Sequence, residues 1–172
     1  MNCPGCGAPM QAHGDTFQCD YCHTVVAADQ NDEGVSLLGE GPGDQCPFCS
    51  VALENAAVAK QPILYCGKCR GMLISMDLFP TLVQTLRAQQ RASIDAPPAD
   101  PHDLLRHLSC PRCHRPMDAH FYAGPGNVVL DSCETCSLNW LDHGELTRIA
   151  RDPEYVHEAM ADDAGAGFDL DQ

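Results

Sequence analysis

Twelve cysteines arranged as six Cys-x-x-Cys pairs, with none left over, make metal binding the chemistry this 172-residue chain is best equipped to perform. In chain order the pairs form three quartets: Cys3, Cys6, Cys19 and Cys22; Cys46, Cys49, Cys66 and Cys69; Cys110, Cys113, Cys133 and Cys136. The two pairs of each quartet are separated by 12, 16 and 19 residues respectively. Two close pairs of soft thiolates joined by a short loop have the ligand spacing of a tetrahedral Zn2+ site, so one Zn2+ is expected per quartet and three per chain. The same four sulfurs can hold iron, and the ligand set alone does not separate the two metals. Four protein ligands describe a closed structural site, whereas a catalytic zinc leaves one position for water.

Other cysteine chemistries fit less well. Disulfides need an oxidising compartment, and Met1 leads straight into Asn2 and Cys3 without a basic and then apolar leader. No apolar run reaches the ~18 residues of a membrane span. A reducing cytoplasm is therefore the expected location. Cys46-Pro47-Phe48-Cys49 resembles a redox dithiol, but such a motif opens a helix inside a βαβ unit, and no βαβ pattern surrounds this one. A switch in which thiolate oxidation releases zinc is an alternative that uses the same residues. His23 and His114 each follow a cysteine directly; beside four thiolates they are not expected to be ligands. The chain has no nucleophile elbow and no His-Glu-x-x-His pair. Gly39-x-Gly41-x-Gly43 encloses Pro42 and follows no convincing strand, so it reads as linker and not as a phosphate loop. No enzymatic activity is expected.

Holding four sulfurs together requires hairpins with tight turns. Each quartet opens with Cys-Pro-x-Cys, and four residues past its second cysteine stands a flexible hydrophobe: Met10, Leu53 or Met117. Proline presets φ for the turn, and the hydrophobe should lie on the first strand, facing a small core. Thr16-Phe17-Gln18, Ile63-Leu64-Tyr65 and Val128-Val129-Leu130 have the composition of short strands entering the second turn. His13-Gly14-Asp15 and Gly124-Pro125-Gly126-Asn127 are the turn signals before them.

The second and third units then continue in parallel, Leu73 aligning with Trp140 and Ile74 with Leu141. A helix is expected after each. In the third unit Asp142 and Glu145 have capping-box spacing. In the second, Asp77 as cap puts Pro80 in the first turn, where proline is tolerated. Phe79, Leu82, Val83 and Leu86 then form one apolar stripe. Pro153 can start a further helix, with Tyr155, Val156, Ala159 and Met160 facing inward. Trp140 is expected to pack across the sheet and helix start. Arg87, Arg91, Arg106, Arg112, Arg115, Arg148 and Arg151 are interleaved with acidic residues and read as scattered, solvated charges.

The expected fold is small, β-rich and metal-stabilised: three tandem four-cysteine zinc ribbons, with short helices after the second and third. Residues 1–26 form the first ribbon, 27–44 a flexible linker, 45–92 the second ribbon with its helix, 93–107 a Pro-rich linker, 108–161 the third ribbon with its helices, and 162–172 an acidic disordered tail. Units near or below ~40 residues seldom fold without help, and 6% aromatic content makes thin cores. Ordering costs about 1.5 kcal/mol per residue, and a structural four-cysteine zinc contributes an apparent ~10–16 kcal/mol at pH 7. The net charge of −14 becomes about −20 with three zinc-thiolate centres. Such a polyanion disfavours nucleic acid and anionic membrane as partners.

Cys110-Pro-Arg-Cys113, Met117, Cys133-Glu-Thr-Cys136, Trp140-Leu141-Asp142 and Gly144-Glu145-Leu146 together resemble the bacterial zinc-ribbon family named after the transcription factor B zinc ribbon. The resemblance covers residues 109–149. Residues 46–86 look like a diverged copy that keeps Gly71 but lacks the Trp and the Gly-Glu-Leu; the third unit has Leu138 where that glycine is expected. Residues 3–26 resemble a generic minimal ribbon. The resemblance implies a zinc-ribbon fold with four cysteine ligands per site, and fold alone does not carry function. The expected role is a protein-interaction adaptor or regulator, transcription-associated, presenting hairpin edges and the stripe around Phe79, Leu82 and Leu86 to another protein. The alternatives are direct nucleic-acid binding and a redox-sensing zinc switch.

Overall fold

The computed structural model describes residues 1–89, 98–123 and 127–151. Three short strands, β1 (Gln11–His13), β2 (Thr16–Gln18) and β3 (Val25–Ala27), form an antiparallel sheet in that order. Seven more, β4 (Val35–Gln45), β5 (Ala52–Val58), β6 (Gln61–Tyr65), β7 (Met72–Ser75), β8 (Asp118–Phe121), β9 (Val129–Cys133) and β10 (Leu138–Leu141), form a second sheet. Its order is β4-β5-β6-β7-β10-β9-β8. The second and third ribbons are thus halves of one sheet, joined where β7 and β10 pair antiparallel.

That junction has local twofold character. Leu73 lies opposite Trp140, and these are the two residues that align when Cys69 is set on Cys136. The two ribbons meet through equivalent strands, each presenting the same edge to the other.

Alternation along the strands separates two cores. Met72, Ile74, Leu130 and Leu141 point toward the helices α1 (Phe79–Gln89) and α2 (Glu145–Arg151) and join Phe79, Leu82, Val83, Leu146 and Ile149. Leu53, Leu73, Leu138 and Trp140 point to the opposite face and pack with the cysteines of the second and third quartets. The helices also touch each other, the Arg87 guanidinium donating to the Ile149 carbonyl at 3.1 Å, and Phe79 meets Tyr122 edge-on at 5.6 Å. Met10, Leu53 and Met117 are buried as their spacing predicts, but only Leu53 lies in a strand, Met10 and Met117 standing just ahead of β1 and β8.

Several expectations need correction. Residues 27–44 are not a free linker: Ala28 belongs to the first ribbon's core, and β4 occupies 35–45 and pairs with β5. Burying backbone hydrogen bonds against the β5 edge outweighs the flexibility that the glycines suggest. Within the expected Pro-rich linker the described residues include a short helical element. Pro101–Leu105 is a 3-10 turn capped by Asp100, whose side chain accepts from His102 N–H at 2.9 Å. In α1 the first turn closes from Leu82 N–H to the Leu78 carbonyl, so the cap position is Leu78 and not Asp77. Phe79, Leu82 and Val83 are buried and Leu86 packs against them, so this stripe serves the protein's own core and is not a surface for a partner. The expected turn at 124–126, the linker residues 93–97, the helix after Pro153 and the acidic tail lie outside the described residues.

Candidate metal centres

The same local turn delivers every pair of sulfurs. The residue after the second cysteine has positive φ in all six pairs: Gly7 at 77°, His23 at 59°, Ser50 at 55°, Arg70 at 63°, His114 at 57° and Ser137 at 52°. In five of them its N–H reaches back to the first cysteine's carbonyl at 2.8 to 2.9 Å, and the first cysteine's N–H bonds the carbonyl five residues on. Ser137 departs from this, bonding the Glu134 carbonyl at 3.3 Å. This turn curls the chain so that both thiols face one point, and backbone N–H groups turn toward sulfur, as from Gly5 to Cys3 and Phe48 to Cys46, both at 3.4 Å. It also explains His23 and His114: each stands at the left-handed position of a turn.

Each predicted quartet assembles, and the four sulfurs of each lie within 4.8 Å of one another. Sulfurs from opposite turns approach to 3.5 Å for Cys3 and Cys22, 3.4 Å for Cys49 and Cys66, and 3.6 Å for Cys113 and Cys133. A tetrahedron with metal–sulfur bonds of about 2.3 Å has edges of about 3.8 Å, so the donor sets fit Zn2+. All twelve cysteines are free thiols, the first of each pair buried and the second nearer solvent.

Electrostatics point the same way. The Arg115 N–H holds Cys113 down to about 7, whereas burial and the neighbouring sulfurs of Cys113 and Cys110 push Cys136 up to about 12. Burial likewise pushes Cys46 up. Clustered thiols cannot all ionise unless a cation shares the charge, and a divalent ion stabilises all four as thiolates.

Around the third centre lies a layer that sequence reasoning only partly found. Trp140 is fully buried and packs on the backbone of Gly71, where an added Cβ would overlap the indole ring. Its indole N–H donates to Asp142 Oδ1 at 3.0 Å. The other Asp142 oxygen accepts from Arg106, which also donates from Nε to Asp131 Oδ2 at 3.1 Å. Asp131 is fully buried in β9. Burial works against the Arg106 charge, but the two carboxylates outweigh it and raise its pKa. Arg106 is therefore no scattered solvated charge. It ties the segment before the third ribbon onto the sheet, and only the spatial neighbourhood of residues 25 and 36 positions away reveals it.

Half of the expected capping box forms. Glu145 accepts from the Asp142 N–H at 2.7 Å, while the Asp142 side chain serves Trp140 and Arg106. Burial pushes Glu145 up to about 7, against the pull of that N–H. Among the described residues, the acidic and histidine side chains form no further metal-binding group with or without cysteine.

Closed four-cysteine turns on short hairpins define a tandem zinc-ribbon protein. Residues 109–152 match the family model described as "Transcription factor zinc-finger", so this segment is a ribbon of the transcription factor B type. No curated protein and no solved structure matches the chain. The chain carries three centres suited to Zn2+, one per quartet. Among the described residues no helix is long and apolar enough to cross a membrane.

Proposed function

We propose that this chain is a protein-interaction adaptor or regulator associated with transcription, and not an enzyme. The observation that carries the reading is the pairing of closed metal centres with large side chains left in water. Each quartet is complete, so a bound Zn2+ has no coordination position for substrate. Tyr21 and Phe48 sit inside Cys-x-x-Cys turns yet are 86% and 63% exposed. A metal-braced turn holds such a side chain rigidly, which lowers the entropy cost of using it as a contact. The charge of −14 favours a partner with a basic surface. Crosslinking pull-down with zinc-loaded protein and with a Tyr21→Ser/Phe48→Ser variant tests this. The variant should keep three zinc ions and lose the partner; equal capture by both proteins, or turnover of a substrate without any partner, overturns the reading.

The family description of residues 109–152 favours a second reading, direct nucleic-acid binding by a transcription regulator. Phosphate contacts are strongest at low salt. A gel shift at low ionic strength that shows no complex would end it.

A further inference from the structure

We infer that the first quartet is a site of reversible oxidative modification by hydroperoxides, and that the other two quartets are protected from it. This goes beyond the adaptor reading and stands without it.

Access distinguishes the centres. Cys6 and Cys22 are exposed, whereas the corresponding outer thiols Cys49, Cys69, Cys113 and Cys136 are partly buried. Cys6 lies 3.5 Å from Cys19, and Cys22 lies 3.5 Å from Cys3, so each exposed sulfur has a resolving partner from the opposite turn beside it. The centres also differ in support. The second and third quartets share one buried cluster with Leu53, Leu73, Leu108 and Trp140. The first has its own small cluster of Met10, Phe17 and Ala28 around Cys3 and Cys19.

The first ribbon can open while the larger sheet stays folded. No strand of it enters the seven-stranded sheet. The chain is re-anchored just after it: Asn31 Nδ2 donates to Tyr65 Oη at 3.2 Å, and Arg70 pairs with Asp32 and Glu33. Loss of the first metal therefore melts β1–β3 and uncovers Leu38, which packs against that ribbon's core.

The chemistry balances with one hydroperoxide. The Cys22 thiolate attacks the outer peroxide oxygen, the O–O bond breaks, and the leaving alkoxide or hydroxide takes a proton from solvent. The resulting sulfenic acid is attacked by the Cys3 sulfur, forming the S–S bond and expelling hydroxide, which leaves as water with a second solvent proton. Two thiolates lose two electrons, the peroxide gains them, and a metal left with two sulfurs departs. Cys6 with Cys19 offers the equivalent route. A dithiol reductant with Zn2+ restores the centre.

Full-length, three-zinc protein titrated with hydrogen peroxide tests this, with released zinc read by a chromogenic indicator and disulfides mapped by differential alkylation and mass spectrometry. One zinc should leave on the order of tenfold faster than the other two, following thiolate access. The disulfide should map within Cys3, Cys6, Cys19 and Cys22, and dithiothreitol with zinc should reverse it. A Cys6→Ser/Cys22→Ser variant should hold two zinc ions and release neither at the same dose. A first release from either other quartet, simultaneous loss of all three ions, or early release from the variant overturns the inference.

Discussion

Gly71 and Trp140 face each other across the β7–β10 junction so closely that a methyl group on Gly71 would overlap Trp140 Cζ2. Gly71→Ala should destabilise the sheet by roughly 2–3 kcal/mol through overpacking. Trp140→Leu in the same chain should recover part of that loss, with a coupling on the order of 1–2 kcal/mol in a double-mutant cycle followed by circular dichroism. Arg106 presents the electrostatic counterpart. Arg106→Met would leave the carboxylate of Asp131 buried without its counter-charge, and thermal or urea unfolding should register a loss of about 3–5 kcal/mol. Asp131→Asn added to that variant should restore most of it. The cysteines were legible in the sequence because ligand chemistry fixes both their type and spacing. Arg106 was not, because its partners are distant in the chain and a lone arginine among acids looks solvated.

Among the elements, α2 makes the pH dependence of folding calculable. Glu145 is buried, and its carboxyl is raised to about 7 from an ordinary value of 4.5. The folded state therefore binds this proton more tightly than the unfolded chain. Its stabilising contribution is complete below about pH 4.5 and is lost as pH rises through 7. Glu145→Gln keeps an acceptor for the Asp142 N–H and removes the titration. The difference in stability between wild type and variant should fall by on the order of 3 kcal/mol between pH 5 and 8, which denaturant curves at fixed zinc would measure. Several core strands were readable from their β-branched and aromatic composition, α1 from its apolar spacing and α2 from the Asp142 and Glu145 spacing. β4 was hidden because its glycines imitate a linker. Gly41 is there for close approach: a Cβ on it would overlap the Leu53 carbonyl oxygen of β5. Composition alone does not separate a glycine required by close packing from one that merely permits motion.

For the molecule as a whole, the two sheets predict two stages of metal loss. A strong chelator should first remove the ion of the first quartet and melt only β1–β3. The other two ions should leave together, because Cys46, Cys66, Cys110 and Cys133 belong to one buried cluster with Trp140. Hydrogen exchange during chelation would show protection lost in β1–β3 before β4–β10. Simultaneous loss throughout would mean that the first ribbon is coupled more tightly than its contacts indicate. Internal repetition was visible in the cysteines, but the union of two repeats was not, since pairing between β7 and β10 leaves no local signature. The alignment of Leu73 with Trp140 was its one trace.

The antiparallel meeting of β7 and β10 is the arrangement by which two identical subunits would associate about a twofold axis. Here both partners lie on a single polypeptide, so assembly is unimolecular. The melting temperature of the seven-stranded sheet with its helices should stay the same on extreme dilution, whereas cutting the chain between the halves would make it depend on concentration. Tethering also frees the halves to diverge: one retains the glycine floor and the other the tryptophan that rests on it, and neither has to carry both.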